Sequence, residues 1–142
     1  MTRGFLSYFN AILILLAACV STQITNLAGF DPARAPTCAA VVKVYASAEA
    51  VGSNFVELAL LTSSATDPVK NDKLVESMQK KAATVGANGL LLRGFGSRMG
   101  GPGIATSAFV AKPTGEAVAI WIPRDSLGLQ EKCRQAAESS GQ

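Results

Sequence analysis

Histidine is absent from all 142 residues. That removes the commonest general base and the commonest transition-metal ligand. Charge is sparse: 13 basic side chains stand against 10 acidic ones, a net +3, with no block of one sign. So mild a balance leaves no electrostatic footprint for nucleic acid. Cysteine is scarce too, with three residues, Cys19, Cys38 and Cys133. Apolar residues are abundant at 49%, which places the chain among those that fold rather than stay disordered. Its length suits one small domain plus extras.

Part of the apolar content lies at the start. Residues 1–18 read MTRGFLSYFNAILILLAA, with Arg3 as a short basic opening. The unbroken apolar run from Ala11 to Val20 would rise only about 15 Å as a helix, roughly half a bilayer core. A basic start, a short apolar region and small residues at its end describe an export signal rather than a membrane span. Leu16-Ala17-Ala18-Cys19 resembles a bacterial lipobox. That resemblance implies a signal peptide over 1–18, cleavage before Cys19, and acylation of Cys19 on its thiol and new amino group. Two or three acyl chains form a stable anchor, where one is marginal. Val20 follows the cysteine where an aspartate would retain Gram-negative lipoproteins in the inner membrane. The expectation is therefore the outer membrane, with the domain facing the periplasm.

Lipidation of Cys19 leaves two cysteines. An oxidising compartment then favours a disulfide between Cys38 and Cys133. They bracket nearly the whole domain, and closing so long a loop stabilises by about 2–4 kcal/mol.

Residues 19–37 read as a lipidated N-terminus and flexible tether, rich in small polar residues with Gly29, Pro32 and Pro36. Such a tether extends to about 60 Å. The domain is expected over 38–137, with a frayed tail at 138–142. Within it, 39–48 and 55–64 read as strands forming a hairpin or neighbouring pair, with Val42, Val44 and Ala46 on one face. The clearest helix covers NDKLVESMQKKAATVGANG. Leu74, Val75, Met78, Ala82 and Val85 form its buried stripe, and Asn71 or Asp72 its cap. Glu76 and Lys80 make an i,i+4 pair, and Gly86 ends the helix in the left-handed region. A third strand covers 90–95, and 96–107 is a glycine-rich loop. Lys112–Glu116 is expected to turn a late hairpin whose second arm is 117–122. Asp125 would cap a short last helix presenting Leu129 and Cys133 on one face. The order β-β-α-β-(β)-β-α predicts an α+β fold, with a mixed or antiparallel sheet of four or five strands under one main helix.

Several motifs invite chemistry. Ser77-Met78-Gln79-Lys80 matches the S-x-x-K of penicillin-binding proteins, and Lys112-Pro113-Thr114-Gly115 looks like a broken K-T-G. The S-D-N element is missing and the domain is too small for that fold. Gly94, Gly96 and Gly100 resemble a loosened dinucleotide loop, but no helix can start soon enough after them to receive a pyrophosphate. Two thiols without imidazole make no closed zinc site. Asp67 and Asp72 flank a loop that lacks calcium spacing. Trp121 and Tyr45 read as core or sheet-face residues. The sequence therefore names no catalytic, cofactor-binding or metal-binding residue.

MQKKAATVGANGLLL, after VVKVYASAEA and FVELALL and before EAVAIWIP, resembles a group of small bacterial lipoproteins. Its helix, Gly-Ala-Asn turn and strand are similar to those of the Rcs envelope-stress sensor lipoprotein and of small bacterial heavy-metal-binding domains. The resemblance spans about residues 38–125. The stress sensor's paired disulfides are not matched, since one bridge at most is available here. The expected function is a lipid-anchored, non-catalytic domain for protein binding, envelope sensing or envelope structure. Its expected partners are the membrane, through the lipid, and an envelope protein. The alternatives are an oligomeric module binding a small ligand between subunits, and a hydrolase using Ser77 and Lys80.

Overall fold

Two apolar patterns organise the chain. Alternation along VELALLTSSA sends Ala59, Leu61, Ser63 and Ala65 to one side of a strand, and a helical stripe buries Leu74, Met78, Ala82 and Ala83. A computed structural model describes residues 19–66, 69–99 and 111–140. The fold is α+β. Strands β1 (Val20–Asn26), β2 (Lys43–Tyr45), β3 (Val56–Ala65), β4 (Gly89–Met99) and β5 (Ala111–Trp121) form one sheet in the order β1-β3-β5-β4-β2. The helices are α1 (Ala48–Val51), α2 (Asn71–Thr84) and α3 (Leu129–Ser140).

The sheet is mixed. β3 pairs antiparallel with β1 and β5, β4 pairs antiparallel with β5, and β2 runs parallel to β4. β3 and β4 thus point the same way with β5 between them. The helix α2 crosses from one to the other and covers a face of the sheet. That face is lined by small residues, Ala59, Ala65, Ala117 and Ala119, which let the helix come close while Leu61, Leu74, Met78 and Leu90 fill the layer. Each large side chain buried there stabilises by about 1.5–3 kcal/mol. On the opposite face, Val51, Leu91, Val118, Ile120 and Ile122 form a second cluster under Leu27, Tyr45, Phe55 and Leu60. Apolar cover on both faces explains the unbroken runs LLL and AVAIWI.

Several sequence expectations change. The stretch 19–37 is not a tether. Val20–Asn26 is an edge strand, in register from Val20 opposite Ala65 to Asn26 opposite Ala59. Residues 27–37 then cross the end of the molecule, held by Leu27 N–H to the Leu58 carbonyl and Thr37 N–H to the Ala83 carbonyl, both 2.9 Å. Residues 20–37 thus belong to the folded unit, which is not confined to 38–137. The segment 39–48 is not one strand. It divides into a 3-10 turn at Ala39–Val41, the three residues of β2, and the start of α1, whose cap is Ser47. Val42 is buried, whereas Val44 and Ala46 are exposed. β2 and β3 are not neighbours, because β2 is recruited to β4 at the far edge.

Lys112–Glu116 is not a turn but part of β5, whose hairpin partner is β4. Pro113 is tolerated there because the β3–β5 register ends at Ser64 and Thr114, leaving Pro113 a neighbour only in β4. Neither Asn71 nor Asp72 caps α2. Both lie inside its first turn, after Lys70, and the Asp72 carboxylate accepts from the Lys73 N–H at 2.9 Å. Asp125 does not cap α3, which starts after Gly128 at φ 71°. The tail stays helical to Ser140. The expected signal peptide, Asp67, the later part of the glycine-rich loop and residues 141–142 lie outside the described residues.

Candidate functional site

The strands give the molecule two ends. At one, β1 begins, β3 finishes and α2 starts, and Cys19 sits there. Its side chain is exposed and its thiol free. Its carbonyl accepts a hydrogen bond from the Thr66 N–H at 3.4 Å, which extends the β1–β3 pairing by one step. Beside it a groove runs between the start of β1 and α2, lined by Val20, Val69, Lys70, Lys73, Ser77 and Lys80.

Ser77 and Lys80 both border this groove, but their functional groups point to different partners. The Ser77 hydroxyl lies 2.7 Å from that of Thr22, which donates at 3.0 Å to the Ser63 hydroxyl. Ser63 is fully buried, so the three hydroxyls satisfy one another where β1, β3 and α2 meet. Lys80 instead donates to Glu76 at 2.8 Å, and Lys73 donates to the same carboxylate at 3.2 Å. These two cations hold the Glu76 carboxyl below its usual range. Thr114 and Gly115 stand in β5, and Gly94 and Gly96 in β4, so these four residues are part of paired strands, while Gly100 lies outside the described residues. Among the described residues, no three metal-ligating side chains gather.

Cys38 and Cys133 are bonded to each other at the other end, with Cα atoms 5.7 Å apart. The bridge ties α3 to the 3-10 turn at Ala39–Val41. Of the side chains in α3 only Leu129 is buried, so apolar packing holds this helix weakly. Nearby, the Arg34 guanidinium lies over Trp121, 4.4 Å from the ring centroid, a cation–π contact. Arg34 Nε is buried without a hydrogen-bond partner. A shallow cleft beside it is lined by Arg34, Thr37, Trp121, Ser126, Gln130 and Glu131. Lys43 and Asp125 close an ion pair of 2.9 Å at the same end. The hydrogen bond from Lys43 holds the Asp125 carboxyl below its usual range, and the same bond raises Lys43.

Sequence reasoning missed Arg34, Thr22, Ser63 and Asn88. The first two lie in the supposed tether. Alternation of Val20, Thr22 and Ile24 was the available signal for a strand there. Nothing local marks Arg34, whose partners Trp121 and Gly86 are remote in sequence. None of the described helices is long and apolar enough to cross a membrane.

No protein-family model matches the chain, and no curated protein does. Among solved structures, the chain is similar to a Francisella virulence factor, FvfA, at 16% identity and a TM-score of 0.46, covering 70% of this chain and 96% of that one.

Proposed function

We propose that this protein is a lipid-anchored, non-catalytic module of the bacterial envelope, held to the outer membrane through Cys19 and engaging an envelope protein from the periplasmic side. The observation that carries the reading is the placement of Cys19. It stands at the end of a lipobox-like sequence, its thiol is exposed, and β1 begins at the next residue, Val20. The Cys38–Cys133 bridge supports an exported protein, because such bonds persist in oxidising compartments. A rigid sheet with its amino terminus at one end suits a domain presented to a partner rather than a reaction centre.

Intact mass spectrometry of the detergent-extracted protein tests the anchor. The expected mass is that of residues 19–142 plus acyl chains, with two further thiols that alkylate only after reduction. An uncut chain with a free Cys19 thiol would sink the reading. Crosslinking in intact cells tests the partner, with an adduct expected that depends on the folded domain.

A further inference from the structure

We infer that the folded domain rests directly on the phospholipid headgroups of its own membrane, through the end that carries Cys19, Thr66 and the start of α2. This rests on the lipid-anchor reading of Cys19 and adds the surface through which the domain meets the bilayer.

The first observation is the missing linker. β1 begins at Val20, the residue after Cys19, and the Cys19 carbonyl is bonded to the Thr66 N–H. Acyl chains on the Cys19 sulfur and amino group would therefore leave from the end of a paired strand. Their glycerol and amide linkages sit at headgroup depth. Thr66, one hydrogen bond away, is brought to the same depth. A flexible lead of even ten residues would allow the domain to wander by about 15–20 Å, and none is present.

The second observation is direction. From Ala65, opposite Val20, β3 runs back to Val56, opposite Trp121. A strand of 10 residues spans about 30 Å. Cys19 and Trp121 thus mark opposite ends, and the Cys38–Cys133 bridge and the Arg34 cleft lie with Trp121. β4 and β5 also meet at Met99 and Ala111 on the Cys19 side.

Charge is the third observation. Lys70, Lys73 and Lys80 rim the groove beside Val20, with Asp72 and Glu76 as its carboxylates. Lys112 is exposed near the start of β5. Lys73 and Lys80 share Glu76, whereas Lys70 and Lys112 have no carboxylate partner among the described residues. Lys70, just before α2, and Lys112, near the start of β5, stand nearest the level of Cys19, while Lys80 lies about 14 Å further along α2. Ammonium groups at the lower level match lipid phosphates, whose field decays within about a Debye length of 8–10 Å. The seating leaves the Arg34 and Trp121 end facing the aqueous compartment, which makes that end the one open to a protein partner.

The test uses the full chain, acylated in cells and reconstituted into phosphatidylethanolamine–phosphatidylglycerol vesicles that contain headgroup spin-labelled lipid. Single fluorophores go on Asn71→Cys, at the start of α2, and on Leu127→Cys, beyond β5. Acylation blocks the Cys19 thiol and the bridge blocks the other two, so one label per chain is read by mass. The expected result is strong quenching at position 71 and little at 127. A long Gly-Ser linker inserted between Cys19 and Val20 should erase the difference. Lys70→Glu with Lys112→Glu should weaken quenching at 71 while acylation is retained. Equal, weak quenching at both positions of an acylated chain would overturn the seating alone. A mass lacking acyl chains would remove the anchor reading and the seating together.

Discussion

The side chain of Asn88 closes two hydrogen bonds on the backbone of Ile122: its Nδ2 donates to the carbonyl at 2.9 Å, and its Oδ1 accepts from the N–H at 2.8 Å. Asn88 is 2% exposed and Ile122 fully buried. The amide thus acts as an extra rung where β5 has run out of partners, just as the chain turns away after Trp121. It also sets how α2 hands over to β4, since the Asn88 carbonyl accepts from the Lys43 N–H at the start of β2.

Asn88→Ala should therefore be costly. It strands a buried N–H and a buried carbonyl, and each unsatisfied group costs about 1–3 kcal/mol. Urea unfolding should show a loss of about 2–4 kcal/mol with an unchanged slope. Asn88→Asp should also destabilise, because a carboxylate cannot donate to the Ile122 carbonyl. An alanine variant as stable as the parent would refute this role.

The disulfide should matter unevenly. α3 buries only Leu129 and is fastened by Cys133. Replacing Cys38 and Cys133 by serine should lower stability by about 2–4 kcal/mol. Hydrogen exchange should then accelerate across residues 129–140 while amides of β3 and β5 stay protected. Equal acceleration throughout the sheet would show that the bridge does more than hold the helix.

Gly86 and Gly52 form a controlled pair. Both have positive φ, 75° and 63°. A Cβ on Gly86 would lie 2.6 Å from Arg34 Cδ and 2.8 Å from the Ala35 carbonyl oxygen, while one on Gly52 would meet nothing within 4 Å. Gly52→Ala should cost only the backbone penalty of about 1–2 kcal/mol. Gly86→Ala should cost more and should shift Trp121 fluorescence as Arg34 is displaced. Equal costs at the two sites would rule out a tight fit at Gly86.

Acid should loosen the Lys43–Asp125 latch. Asp125 is held below its usual range by Lys43. Its contribution is present above the ordinary aspartate pKa and is lost as pH falls through the lowered folded value. Lys43 is raised, so its share is present below the ordinary lysine pKa and is lost as pH rises through the folded value. The Lys43 side chain is 61% exposed, which keeps the whole effect under about 1 kcal/mol. NMR titration of the Asp125 carboxyl should show its midpoint move up in Lys43→Met. No movement would mean that the pair does not persist in solution.

The helix over 71–84 was readable because a 3.6-residue apolar stripe, a stop at Gly86 and the Glu76–Lys80 pair all agree locally. The core of β3 was readable from the apolar run at Leu58–Leu61, which continues as alternation to Ala65. β1 was hidden because Ser21, Gln23 and Asn26, with Gly29, Pro32 and Pro36 soon after, read as a polar tether and outweighed the alternation of Val20, Thr22 and Ile24. The supposed turn at Lys112–Glu116 carries Pro113 and Gly115, yet it stays extended because β4 offers a partner on the side that Pro113 leaves free. The hydroxyls of Thr22, Ser63 and Ser77 meet only when three elements converge.

Local periodicity alone establishes the α+β class and the main helix with its buried face, whereas the choice of Cys38 and Cys133 as the bonded pair is settled by the structure. Only the tertiary structure decided strand order, the fate of residues 20–37, and the placement of Arg34 on Trp121 and of Asn88 on Ile122. The reason is physical: a strand's hydrogen bonds, unlike a helix's, are made with a distant segment. Its neighbours cannot be read until that segment is in place.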